Sequence, residues 1–128
     1  KDGILAGALL AEVVAASGMS LQARLREIEA QYGRRVCSRK SVSISESVRE
    51  RLARLEQKPP DRFGAFRVRA IERLDGIRFD LEDGFLMFRA SGTEPLLRIY
   101  AEAPSTRALN ERFAEGARAL GIEALQAG

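Results

Sequence analysis

The chain has 128 residues, 45% of them hydrophobic and 30% charged, with a formal net charge of +3. That balance describes a globular domain, or one small domain plus a piece of another, and excludes general disorder. One cysteine and no histidine exclude an internal disulfide, most zinc sites and a Cys–His catalytic pair, and suit a reducing compartment.

The chain opens Lys1-Asp2-Gly3 rather than on Met, which suggests a fragment or a processed product. No apolar run reaches membrane-spanning length, and residues 1–16 lack the basic start and cleavage pattern of a signal peptide. Asp2 is placed to cap a helix running through Ile4, Leu5, Ala8, Leu9 and Val13 to a stop at Gly18. This helix is apolar around most of its circumference, as expected of one buried inside something larger. Ser20 caps a second helix, with Leu21, Leu25, Ile28 and Tyr32 at helical spacing and Gly33 at its end. Residues 34–42 predict a strand around Val36 and Val42, with Cys37 an inert residue within it. These elements hold too little to close a core and are expected to be the tail of a preceding α/β domain. Standing alone, residues 1–40 are expected to expose apolar surface, fray, or pair with another copy.

A Ser43-x-x-Glu46 capping box opens a third predicted helix, which puts Val48, Leu52 and Leu55 on one face. Lys58-Pro59-Pro60-Asp61 ends it. From Phe66 the period changes to two: Phe66, Val68 and Ala70 alternate with Arg67 and Arg69, and Asp75-Gly76 makes a tight turn. Ile77, Phe79 and Leu81 alternate with Arg78, Asp80 and Glu82, the pattern of a half-buried antiparallel strand. Asp83-Gly84 turns the chain into residues 85–90, and Leu97, Ile99 and Ala101 form one face of a last strand. Ser105 caps a final helix with Leu109, Phe113, Ala117 and Leu120 as its stripe and Gly121 as its end. The fold class expected is α+β: a four-stranded antiparallel sheet with two helices on one face, preceded by two helices and a strand.

The stretch Phe88-Arg89-Ala90-Ser91-Gly92-Thr93-Glu94-Pro95 joins the last two strands and collects groups suited to a phosphate. Arg89 offers a planar fork of donors, Ser91 and Thr93 offer hydroxyls, and Arg98 adds a second cation on the departing strand. Gly92 lets the backbone approach closely and can adopt positive φ, so that successive amides can converge on an anion. Pro95 ends the turn. An ordinary polar hairpin turn would use several of the same residue types. The net positive charge also admits a nucleic-acid module, although the acids interleaved with arginines over residues 46–56 favour a solvated helix face. A purely structural interaction domain is a third possibility.

The full run from Arg89 through Ala103 resembles the C-terminal phosphate-binding loop of the α-D-phosphohexomutases, the phosphoglucomutase and phosphomannomutase family. The opening Lys1-Asp2-Gly3-Ile4-Leu5-Ala6 also looks like a helix start in that family's third domain. The resemblance implies residues 1–43 as the end of the third domain plus a hinge, and residues 44–128 as the fourth. It implies an isomerase acting by phosphotransfer, which interconverts hexose 1-phosphates and 6-phosphates in carbohydrate metabolism in the cytoplasm. Arg89, Ser91, Gly92, Thr93 and Arg98 match positions that bind the non-reacting phosphate, with Glu94 as loop support. The family's Thr-x-Ser-His-Asn-Pro serine loop and Asp-x-Asp-x-Asp magnesium loop are absent from this sequence, so catalytic and metal residues are expected to be none. Mg²⁺ would belong to another domain of the parent enzyme, and this chain alone is expected to be inactive. The partners implied are the hexose phosphate and the remaining domains, with neither nucleic acid nor membrane. The Arg98-Ile99-Tyr100-Ala101-Glu102 ending resembles the glucose and mannose enzymes more than the glucosamine ones.

Overall fold

The structure, a computed structural model, describes residues 2–123. They form two compact units that divide between Arg34 and Arg35.

The first unit holds two helices, α1 (Gly3–Ser17) and α2 (Leu21–Tyr32). Each starts where a short polar side chain satisfies an otherwise orphaned amide: Asp2 Oδ1 accepts from the Leu5 N–H at 2.9 Å, and Ser20 Oγ from the Ala23 N–H at 3.2 Å. Gly18, with φ of 63°, ends α1 in the left-handed region and donates its N–H to the Val14 carbonyl at 2.9 Å. No residue of either helix is buried. Ile4, Leu5, Leu9, Leu10 and Val13 are all exposed, so α1 presents an apolar surface with no core of its own. No single helix among the described residues is long and apolar enough to cross a membrane.

The second unit is an antiparallel sheet with two helices contributing to one core. Its elements are β1 (Val36–Ser43), α3 (Glu46–Gln57), β2 (Arg62–Phe63), β3 (Phe66–Glu72), β4 (Ile77–Leu81), β5 (Gly84–Ala90), β6 (Leu96–Ala103) and α4 (Thr106–Ala119). The strand order is β1-β6-β5-β4-β3-β2, and every pairing is antiparallel. The sheet therefore has six strands, not the four expected. One addition is β2, two residues long. The other is β1, which pairs along its whole length with β6, from Val36 opposite Ala103 to Ser43 opposite Leu96. The strand expected at the end of a preceding domain is an edge of this sheet, and the units part upstream of the expected 43/44 division. Because Ser43 is committed to the sheet, it does not cap α3. Ser45 does so, accepting from the Val48 N–H at 3.3 Å.

The alternation of period two sorts the sheet into a dry face and an open one. Ile77, Phe79, Leu81, Leu86, Phe88, Leu97, Ile99 and Ala101 share one buried cluster with Val48 and Leu52 of α3 and Leu109 and Phe113 of α4. Phe63 of β2 closes this core against Phe79, edge to face with ring centroids 4.8 Å apart. Burying each large side chain stabilises the fold by roughly 1.5–3 kcal/mol.

Among the described residues one charge lies inside. Arg112 of α4 is fully buried, pairing through Nη2 with the Asp83 carboxylate and donating from Nη1 to the Glu102 carbonyl. Its guanidinium sits 5.1 Å from the Phe66 ring centroid. It ties the β4–β5 turn and β6 to α4.

Candidate functional site

The open face of the sheet carries the polar residues of the alternation, and one end of it is the β5–β6 connection, residues 91–95. Arg89 and Arg98 are register partners across β5 and β6. Two like charges directly opposite each other are unfavourable in an antiparallel pair. Each is answered by a carboxylate: Arg89 Nε lies 2.9 Å from Asp75 Oδ1, and Arg98 Nη2 lies 3.2 Å from Glu94 Oε2. All four side chains are partly solvated, so these pairs are weak and exchangeable.

Asp75 reaches Arg89 because the β3–β4 turn lies against β5. Gly76, with φ of 89°, makes that approach possible. A Cβ on it would stand 2.3 Å from the Phe88 carbonyl oxygen and 3.1 Å from the Arg89 Cα. The Asp75-Gly76 pair reads in the sequence only as a hairpin signal. Its second role depends on a neighbouring strand.

Within the connection, the Ser91 N–H donates to the Leu96 carbonyl at 2.8 Å and the Leu96 N–H to the Glu94 carbonyl at 2.7 Å. The Ile44 N–H donates to the Pro95 carbonyl at 2.9 Å, tethering the loop to the segment after β1. The free protein does not hold all of these amides in one convergent nest. The Ser91 amide is already spent on closing the hairpin. Gly92 is not among the glycines with positive φ, and a Cβ there would meet nothing within 4 Å. Among the described residues no acceptor is bonded to the N–H groups of Gly92, Thr93 or Glu94, nor to the Ser91 and Thr93 hydroxyls. The loop thus offers three amides and two hydroxyls beside two guanidinium groups.

Tyr100 and Arg39 complete this end of the face. Arg39 of β1 is the register partner of Tyr100 on β6. Burial pushes the Tyr100 pKa up, but hydrogen bonds and charge from Arg89 and Arg39 outweigh it and leave the hydroxyl below its ordinary value of 10.0. Cys37, further along β1, is exposed, and its Sγ lies 3.4 Å from Glu102 Oε2. Burial first, then that carboxylate, pushes the thiol's pKa up, which keeps it protonated and unreactive at neutral pH.

A nucleic-acid reading asks the open face for free aromatic platforms. Arg78 covers the Phe85 ring at 4.1 Å from its centroid while its Nε holds Asp80 at 2.7 Å, so that ring is already stacked. Among the described residues no group of three or more His, Cys, Asp or Glu side chains could hold a metal ion.

Comparison with known proteins places the sheet and its helices in one family. The family model described as phosphoglucomutase/phosphomannomutase, C-terminal domain, matches residues 6–119. A protein of Pyrococcus furiosus described as a probable phosphoglucosamine mutase is 31% identical over 125 residues, which cover 98% of this chain and 26% of that protein. A Thermococcus kodakarensis protein named phosphoglucomutase/phosphomannomutase is 28% identical over 120 residues, or 94% of this chain and 24% of its own length. A crystal structure from Thermus thermophilus, described as a "putative phosphomannomutase", superposes with a TM-score of 0.66 at 28% identity, covering 94% of this chain and 22% of that one. The chain spans about a quarter of the length of the relatives it matches. On the family match and the shared fold, the chain belongs to the family of phosphoglucomutase/phosphomannomutase C-terminal domains.

Proposed function

We propose that this chain is the phosphate-holding part of a phosphohexomutase, and that the loop at residues 89–98 grips the phosphate of a hexose phosphate that is not reacting. Residues up to Arg34 are then the end of the preceding domain, and the unit from Arg35 is the fourth. The observation that carries this reading is the placement of Arg89 and Arg98 opposite each other on rigid strands, beside three unspent amides and the hydroxyls of Ser91 and Thr93. A phosphate monoester carries nearly two negative charges at neutral pH, and this array can replace its hydration without a metal.

The division of labour follows from the residue types. Phosphoryl transfer needs an activated nucleophile or a positioned base, and the chain has no histidine. Glu94 is engaged with Arg98 and serves the loop rather than the reaction. The residues here bind and orient: holding the remote phosphate fixes the sugar for transfer elsewhere in the enzyme. Mg²⁺, implied by the family for the parent enzyme, finds no fitting set of side chains among the described residues, and no step is assigned to it.

The test is a titration of the chain with glucose 1-phosphate, followed by amide chemical shifts. Saturable shifts should centre on residues 89–98. Arg89→Ala should weaken binding on the order of tenfold, the loss of one partly solvated charge-assisted pair. An unchanged dissociation constant in a folded variant would make the loop an ordinary turn.

A further inference from the structure

Three arginines meet on the open face from three neighbouring strands: Arg39 on β1, Arg98 on β6 and Arg89 on β5. Arg39 is level with Tyr100 on β6, and Arg89 is level with Arg98 two residues along, so Arg39 and Arg89 lie diagonally across β6, two interstrand spacings of roughly 5 Å apart in the pairing direction. The Tyr100 hydroxyl is within reach of both guanidinium groups, which lower its pKa, so one phenol senses side chains that belong to opposite flanks of β6. The charges are not equally compensated. Arg89 has Asp75 and Arg98 has Glu94, whereas among the described residues no carboxylate forms an ion pair with Arg39. A guanidinium on the same face as two others, beside a hydroxyl and without a carboxylate partner among the described residues, is a poor arrangement for stability alone and a suitable one for an anion.

We infer that Arg39 is a third cation of the phosphate site, held towards Arg89 by the Tyr100 hydroxyl, so that a dianionic phosphate monoester is bound across β1, β6 and β5 and not by the loop alone. This inference rests on the loop reading above. Tyr100 is a positioning residue: its hydroxyl draws the Arg39 and Arg89 guanidinium groups towards one point on β6. The charged neighbours of its hydroxyl are Arg39 and Arg89, with Arg98 and Glu102 on its own strand and the Cys37 thiol on the same strand as Arg39. A bound phosphate draws both arginines away from the phenol, which should raise its pKa towards the ordinary value. Conversely, tyrosinate formed at high pH competes with phosphate for the same two groups.

The experiment titrates the chain with inorganic phosphate and with glucose 1-phosphate at fixed ionic strength. Arg39→Gln should weaken both about fivefold, Arg39→Lys should recover part of that loss, and Tyr100→Phe should cost about twofold. Arg107→Gln, on an 88% exposed side chain of α4, controls for net charge and should change binding less than about twofold. In a Tyr32→Phe background, the ultraviolet titration of Tyr100 should move upwards with saturating phosphate and also with Arg39→Gln. An effect of Arg39→Gln no larger than that of Arg107→Gln, or a Tyr100 titration indifferent to phosphate, would overturn the inference. If Arg89→Ala weakens binding while Arg39→Gln does not, the loop reading stands and only the third cation falls. Absence of saturable phosphate binding by the unaltered chain would overturn both.

Discussion

Asp75→Asn separates two roles that one ion pair could have. In the free protein the Asp75 carboxylate lies 2.9 Å from Arg89 Nε, with 62% of the Asp75 side chain and 40% of the Arg89 side chain exposed. A phosphate arriving at Arg89 must share or displace it. At that exposure the pair contributes no more than about 0.2–1 kcal/mol to stability, so the substitution should lower the unfolding free energy only slightly. The same small energy is what phosphate no longer has to overcome, and a nearby negative charge disappears as well. Affinity for glucose 1-phosphate should therefore rise about two- to fivefold at low salt, and the gain should shrink as salt increases. The assay is the amide-shift titration, paired with a urea melt to show that the fold is intact. Arg89→Ala combined with Asp75→Asn should lose the benefit, because the competitor matters only while the arginine is there. A fall in affinity for the single variant would show that Asp75 positions Arg89 and does not compete for it, and the exchange argument would be wrong.

Other perturbations probe what holds the site in place. Arg112→Met should destabilise the second unit by about 2–3 kcal/mol in urea unfolding, because the Glu102 carbonyl loses its donor, while the half-exposed Asp83 can rehydrate. A change under about 0.5 kcal/mol, the usual range of surface substitutions, would mean that the buried guanidinium does not tie α4 to the sheet. Gly76→Ala should cost about 1–3 kcal/mol through its left-handed backbone and the Phe88 carbonyl 2.3 Å from the new Cβ. It should also weaken phosphate binding by shifting the strand that carries Arg89, and an unaltered melt would contradict this. Cys37 should react with iodoacetamide at pH 8 more slowly than an unperturbed thiol despite its exposure, since its raised pKa leaves less thiolate, and Glu102→Gln should speed the reaction. Equal rates in the two proteins would remove Glu102 as a cause.

Much of the second unit can be read from local sequence because its contacts are local. The turns at Asp75-Gly76 and Asp83-Gly84 and the clean alternation of Ile77, Phe79 and Leu81 determine a meander in which each strand pairs with the next. The caps at Asp2, Ser20 and Ser105 each need only the few residues that follow. The run from Arg89 to Arg98 is likewise contiguous, so its chemistry and its family resemblance are visible before any fold is known.

The tertiary structure decided what depends on distant neighbours. β1 finds its partner much later in the chain, in β6, and nothing in residues 36–43 names that partner. Once β1 joins the sheet, Ser43 is taken for pairing, Ser45 becomes the cap, and Arg39 arrives opposite Tyr100. Arg112 looks like one more solvated helical arginine, yet it is buried with Leu109 and Phe113 on α4 and sealed beneath the β4–β5 turn. Asp75 reads as a turn residue and becomes the counter-ion of Arg89 only because the turn lies against β5. Local propensity and period act over a few residues, whereas strand order and charge pairing are set by which surfaces the whole chain can bury together.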